Sequence, residues 1–90
     1  MKHFSAQLPV SFFQEDDQVV AYCPVLDLST AGDTVEEAKK NFGHASSLFF
    51  EELVQAGSLG DVLAELGWKK KQKMWQPPTL VAQTTELVTV

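Results

Sequence analysis

Ninety residues, 44% hydrophobic and 21% charged, suit one globular domain and exclude a disordered chain. The formal charge is -5 and all seven basic residues are lysines. The chain therefore lacks the guanidinium fork that reads phosphate and guanine, and its net charge repels a nucleic-acid backbone.

Phe4, Ala6, Leu8, Val10 and Phe12 alternate with His3, Ser5, Gln7, Pro9 and Ser11, a period of two that predicts a strand with one face on a core. Pro9 lacks the N–H a ladder needs, which puts this strand at an edge or gives it a bulge. Glu15-Asp16-Asp17-Gln18 reads as a polar turn. Residues 19–23 then pair back as a hairpin, and residues 28–31 make a short third strand. Gly32 is expected to free the backbone for the turn into a helix. Thr34 with Glu37 three positions on is a capping box, and Asp33, Glu36 and Glu37 sit where the helix dipole favours anions.

Ala38, Phe42, Ala45, Phe49, Leu53 and Ala56 recur at helical steps and predict a buried stripe ending near Gly57. This stripe is expected to lie on the sheet face that carries Phe4, Leu8 and Val10. Gly43 within it costs about 1 kcal/mol relative to Ala, so close packing on the sheet is its expected reason. Ser58 and Asp61 open a shorter helix with Leu59, Val62, Leu63 and Leu66 at helical spacing and Gly67 as its stop. Residues 69–78 form a basic, Trp-containing connector, and the Val, Thr and Leu of residues 79–90 predict a last strand. The fold class is α+β, in the order β-β-β-α-α-β. A three-stranded antiparallel sheet (a hairpin plus a short third strand) packs on one main helix, with a short second helix and a C-terminal strand.

Chemistry is sparse in this pattern. Asp16, Asp17, Asp27 and Asp33 are the carboxylates nearest strand ends, where a two-metal nuclease would hold its ions. Turn and cap roles account for them, so no metal site is expected. His3 and His44 each stand alone, outside any ligand motif. Cys23, before Pro24, has no base beside it and reads as a small buried side chain. Ser46, Ser47 and Ser58 lack a nucleophile elbow. The reading is a non-enzyme without cofactor. Lys69, Lys70, Lys71 and Lys73, between Trp68 and Trp75, are the one cluster that could hold a nucleic-acid strand by charge and stacking. In an acidic chain they read instead as a solvated loop whose tryptophans pack back on the domain. The lone cysteine fits a reducing compartment, and no leader-like or membrane-length apolar run is present, so a soluble cytoplasmic protein is expected.

Tyr22-Cys23-Pro24, then Leu26-Asp27-Leu28, then Thr30-Ala31-Gly32-Asp33-Thr34-Val35-Glu36-Glu37-Ala38 follow one another in a pattern that resembles the HicB family, the antitoxin half of HicA–HicB toxin–antitoxin pairs. Asn41, Leu48-Phe49-Phe50-Glu51-Glu52-Leu53 and Leu63-Ala64-Glu65-Leu66-Gly67-Trp68 continue it. The likeness spans residues 4–68 and is densest over 21–53. Two departures stand out. Leu26-Asp27-Leu28 is one residue shorter than the Leu-Pro-Gly-Cys of many members. Members usually add a helix-turn-helix or ribbon-helix-helix module that binds DNA, and residues 69–90 are too short for a helix-turn-helix.

The resemblance implies a partial ribonuclease H fold over residues 1–68. Residues 69–90 would be a basic connector and strand that complete the same domain or form an oligomer interface. It also implies a partner, a small basic HicA-like toxin that cleaves mRNA through a double-stranded-RNA-binding fold. Asp16, Asp17, Tyr22, Asp27, Asp33 and Glu36 are the expected contacts, the five carboxylates because acidic groups speed association with a basic surface. A homodimer or tetramer is expected from the small core and the unpaired strand. The competing readings are a solitary homo-oligomeric module without a toxin and a small DNA-binding regulator using the C-terminal segment.

Overall fold

Three strands, two helices and a closing hairpin follow one another in a computed structural model that describes residues 6–90. Strands β1 (Ser11–Glu15), β2 (Gln18–Cys23) and β3 (Leu28–Gly32) make an antiparallel meander with β2 in the middle. Helix α1 (Val35–Ala56), helix α2 (Leu59–Glu65) and a separate two-stranded hairpin, β4 (Lys69–Lys71) with β5 (Met74–Gln76), complete the α+β order.

Alternation along β2 decides which face is covered. Val19, Ala21 and Cys23 are buried against α1, while Val20 and Tyr22 point to the other face and are only half-buried. Register carries this across the sheet: Val19, Ala21 and Cys23 stand beside Gly32, Thr30 and Leu28 on β3, and opposed residues share a face. The turn from β2 to β3 is itself core, since Val25 and Leu26 are buried there. Trp68, also buried, donates its indole N–H to the Val25 carbonyl at 2.8 Å. Phe50 of α1 meets the Trp68 ring edge-on with centroids 6.3 Å apart, which joins the main helix to the end of α2.

Local signals fixed the helix ends. The Thr34 hydroxyl accepts from the Glu37 N–H at 3.1 Å, and the Glu37 carboxylate reaches back to the Asp33 N–H at 2.7 Å, a capping box displaced by one donor. Gly57, at φ 70, closes α1 with bonds from Gly57 N to Val54 O and from Ser58 N to Leu53 O. Gly67, at φ 92, closes α2 in the same way, with Trp68 N bonded to Leu63 O. Both are Schellman-type stops that require a positive φ. Ser58 stands at the N-cap of α2 without a side-chain bond.

Several expectations need correction. The first ladder strand is Ser11–Glu15, and residues 6–10 lie outside it, although Ala6, Leu8 and Val10 still pack on the core. Phe4 and His3 lie outside the described residues. The α1 stripe is buried at Ala38 and Phe42, half-buried at Ala45, Phe49 and Leu53, and exposed at Ala56. Gly32 does not adopt a positive φ. Its reason is space: a Cβ there would come within 2.6 Å of the Ala38 nitrogen and 2.9 Å of the Glu37 carbonyl carbon. Gly43 was expected to pack closely, yet it is exposed and a Cβ would meet nothing within 4 Å. Residues 79–90 form no strand. The C-terminal β structure is the hairpin over residues 69–76, and residues 78–90 beyond it are exposed and carry no regular element.

Candidate functional site

The topology sorts the acidic side chains by the end of the sheet at which they emerge. In a meander, successive turns alternate between ends. Glu15 faces Gln18 and Val19 faces Gly32, so the β1–β2 turn and the β3–α1 junction share one end. They are separated there by two strand spacings, about 10 Å. Asp16, Asp17, Asp33 and Glu36 all stand exposed at that end, with Glu15 beside them. Asp16 adopts φ 52 in the two-residue turn, a conformation Asp tolerates better than most residues. The backbone there is steadied by Gln14, whose amide donates to the Asp16 and Gln18 carbonyls at 2.8 and 3.2 Å. At the junction, Thr30 Oγ1 donates to the Ala38 carbonyl at 3.1 Å and Asn41 Nδ2 to the Ala31 carbonyl at 2.8 Å. The helix start is therefore locked to β3. Glu37 is occupied by the cap, while Asp33 and Glu36 keep their carboxylates toward solvent.

Asp27 and Tyr22 belong to the opposite end. The Tyr22 hydroxyl donates to Asp27 Oδ1 at 3.1 Å, and this bond is the first cause that lifts the phenol's pKa above its ordinary range. Asp27, at φ 51, ends the four-residue turn between β2 and β3. The six expected contact residues thus divide into Asp16, Asp17, Asp33 and Glu36 on one surface, and Tyr22 with Asp27 on another. Counting turns in the sequence would have separated them.

The basic cluster lies at the Asp27 end, because Trp68 leads into it from its bond to Val25. Lys69, Lys70, Lys71 and Lys73 are all exposed. Lys70 stands opposite Trp75, with its Nζ 5.7 Å from the ring centre, a cation–π arrangement. Trp75 packs back over α2, close enough that a Cβ at Gly60 would be 3.3 Å from its ring. Trp68 is buried and offers no stacking face, while Trp75 is half-buried. The hairpin lysines share their end of the molecule with exposed Asp27, Glu51, Glu52, Asp61 and Glu65, and Lys39 and Lys40 stand on α1 just past the acidic junction. The carboxylates of the β1–β2 turn and helix start are therefore a local acidic cluster with few lysines beside it.

Among the described residues no group of three or more His, Cys, Asp or Glu side chains could hold a metal ion. His44 is exposed on α1. Cys23 is fully buried, and that burial pushes its thiol pKa up, away from the thiolate a nucleophile needs. Within the same residues no helix is long and apolar enough to cross a membrane. No family model, curated protein or solved structure matches the chain.

Proposed function

We propose that this chain is a HicB-like antitoxin that binds and neutralises a small basic HicA-like ribonuclease. It does so as a protein-binding module and not as an enzyme. The observation that carries the reading is the acidic end of the sheet, where Asp16, Asp17, Asp33 and Glu36 are exposed together while the lysines of the closing hairpin stand at the far end. A basic RNA-binding face would be drawn to the acidic end and covered there. The run of residues 22–38 that resembles the family supplies the strand and helix start that build this end.

The test is co-expression with a small basic protein encoded beside this chain. Rescue of growth and a complex whose association slows with salt and with Asp16→Asn, Asp17→Asn, Asp33→Asn or Glu36→Gln are the expected results. Asp27→Asn, at the opposite end, is expected to leave the association rate alone. Failure to rescue growth, with no complex at low salt, overturns the antitoxin reading in favour of a solitary homo-oligomeric module.

A further inference from the structure

The last part of the chain has the composition of a strand and the surroundings of none. Val81 is 91% exposed, Leu87 93% and Val88 81%, although seven of residues 79–90 are Val or Thr, the types that favour a pleated, half-buried surface. Gln83 marks where this tail touches its own domain: its Nε2 donates to Ser11 Oγ at 3.4 Å, at the start of β1. Beyond it every residue is exposed. The radius of gyration of 15.0 Å exceeds the roughly 12 Å expected for a compact chain of this length.

Strand β1 has the complementary defect. It is an edge, paired only to β2, and every second residue of an antiparallel edge directs its N–H and C=O away from its neighbour. Phe12 and Phe13 are exposed on it. Helix α1 packs mainly over β2 and β3, so beside β1 it leaves an open groove of about 490 Å³, lined by Leu8, Val10, Phe12, Phe42 and the Gly43 backbone. Lys39 is the one charged side chain on the groove wall, and Glu86 is the one charged side chain in the tail. The seven residues after Gln83 span about 23 Å when extended, enough to cover the roughly 17 Å of a five-residue strand.

From these matched features we infer that residues 84–90 of one copy add as a strand to the β1 edge of a second copy. Side chains alternate along the added strand, so Val88 and Val90 enter the groove beside α1 with Glu86 toward Lys39 while Leu87 covers the other face beside Phe13, and the second tail returns the exchange. Reciprocal exchange about a two-fold axis closes the assembly and caps both free edges. This inference stands apart from the toxin-binding reading, which uses the acidic end of the sheet.

Light scattering of the full chain at about 100 μM is expected to give twice the monomer mass of 10.0 kDa. Leu87→Asp with Val88→Asp is expected to weaken self-association by at least tenfold, roughly the effect of 1.4 kcal/mol, with an unchanged melt when dilute. Amide exchange at Phe12 and Gln14 is expected to slow with concentration in the parent chain and not in the tail variant. A monomer at all concentrations overturns the inference, and so does a dimer indifferent to the tail substitutions. Tail amides protected in a monomer overturn it too, since the tail would then pair within its own chain.

Discussion

The two sides of helix α1 show what filled and unfilled packing look like in one element. Toward β3, its first turns are locked by the Thr34 cap, the Thr30 and Asn41 hydrogen bonds and a glycine with no room for a methyl group. Toward β1, the same helix presents Gly43 to open space along a groove. One side is a finished protein interior and the other is an exposed apolar surface. The difference teaches that the fold is anchored by the β3–α1 junction, while the β1 side is left for something outside the described core.

Phe42 stands at the boundary between the two and gives the largest expected effect. It is 8% exposed, yet it lines the groove. Phe42→Ala should cost about 3–5 kcal/mol, because the lost side chain would merge the groove with the core. Phe49, half-buried further along the helix, should cost distinctly less when truncated in the same way. Urea melts of the two variants check the order, and an equal loss would mean the groove is closed in solution.

Next comes Gly32→Ala, expected to destabilise by about 3 kcal/mol, the upper end of overpacking. The colliding atoms are backbone atoms of the helix start and have no rotamer to relax into. A melt unchanged by this substitution would show that α1 does not sit so tightly on β3.

A second closed contact, at the far end of the sheet, tests whether tight packing extends beyond the junction. Trp68→Phe removes the donor to Val25 O while keeping most of the ring. The buried carbonyl is left without that donor, at a cost of about 1–3 kcal/mol. Thermal melts followed by circular dichroism check it, and no loss would mean that the turn carbonyl reaches water.

Legibility in the sequence followed the range of the interactions. The capping box, the two glycine stops and the β1–β2 turn are local, and Thr34, Glu37, Gly57, Gly67 and Asp16-Asp17 announced them. The alternation expected over residues 4–12 holds only in part within the described residues: Ala6, Leu8 and Val10 pack on the core, but Pro9 and Ser11 are half-buried too and Phe12 is exposed, and the pattern could not say where hydrogen bonding begins. That depends on β2, whose register stops at Ser11 opposite Tyr22. The C-terminal assignment failed for the same reason. Val and Thr favour a strand only where a ladder exists, and residues 79–90 pair with no strand among the described residues.

The hairpin that does form there was hidden. Lys69-Lys70-Lys71 is a poor strand sequence by composition, and the turn residues Gln72 and Lys73 adopt φ 50 and 66 without the Asn or Gly that signals such a turn. The candidate site was half legible. Each carboxylate could be named, but their division between two ends is a property of the meander.

The smallest expected effect is the sharpest test of the comparison, because its sign differs from the rest. Gly43 is a helix-interior glycine with no positive φ and no neighbour for a Cβ. Gly43→Ala should therefore raise the stability of the dilute monomer by about 1 kcal/mol, through lower backbone entropy in the unfolded chain. The matching Gly32→Ala change should do the opposite. If the groove fills with a second copy's tail at high concentration, the added methyl group would project into occupied space. The gain should then shrink or reverse as protein concentration rises. Melting temperatures of Gly43→Ala and the parent chain, measured across a dilution series, decide the matter. A constant gain at every concentration would mean that the groove beside β1 stays empty, and a loss even when dilute would mean that the groove is already closed within one chain.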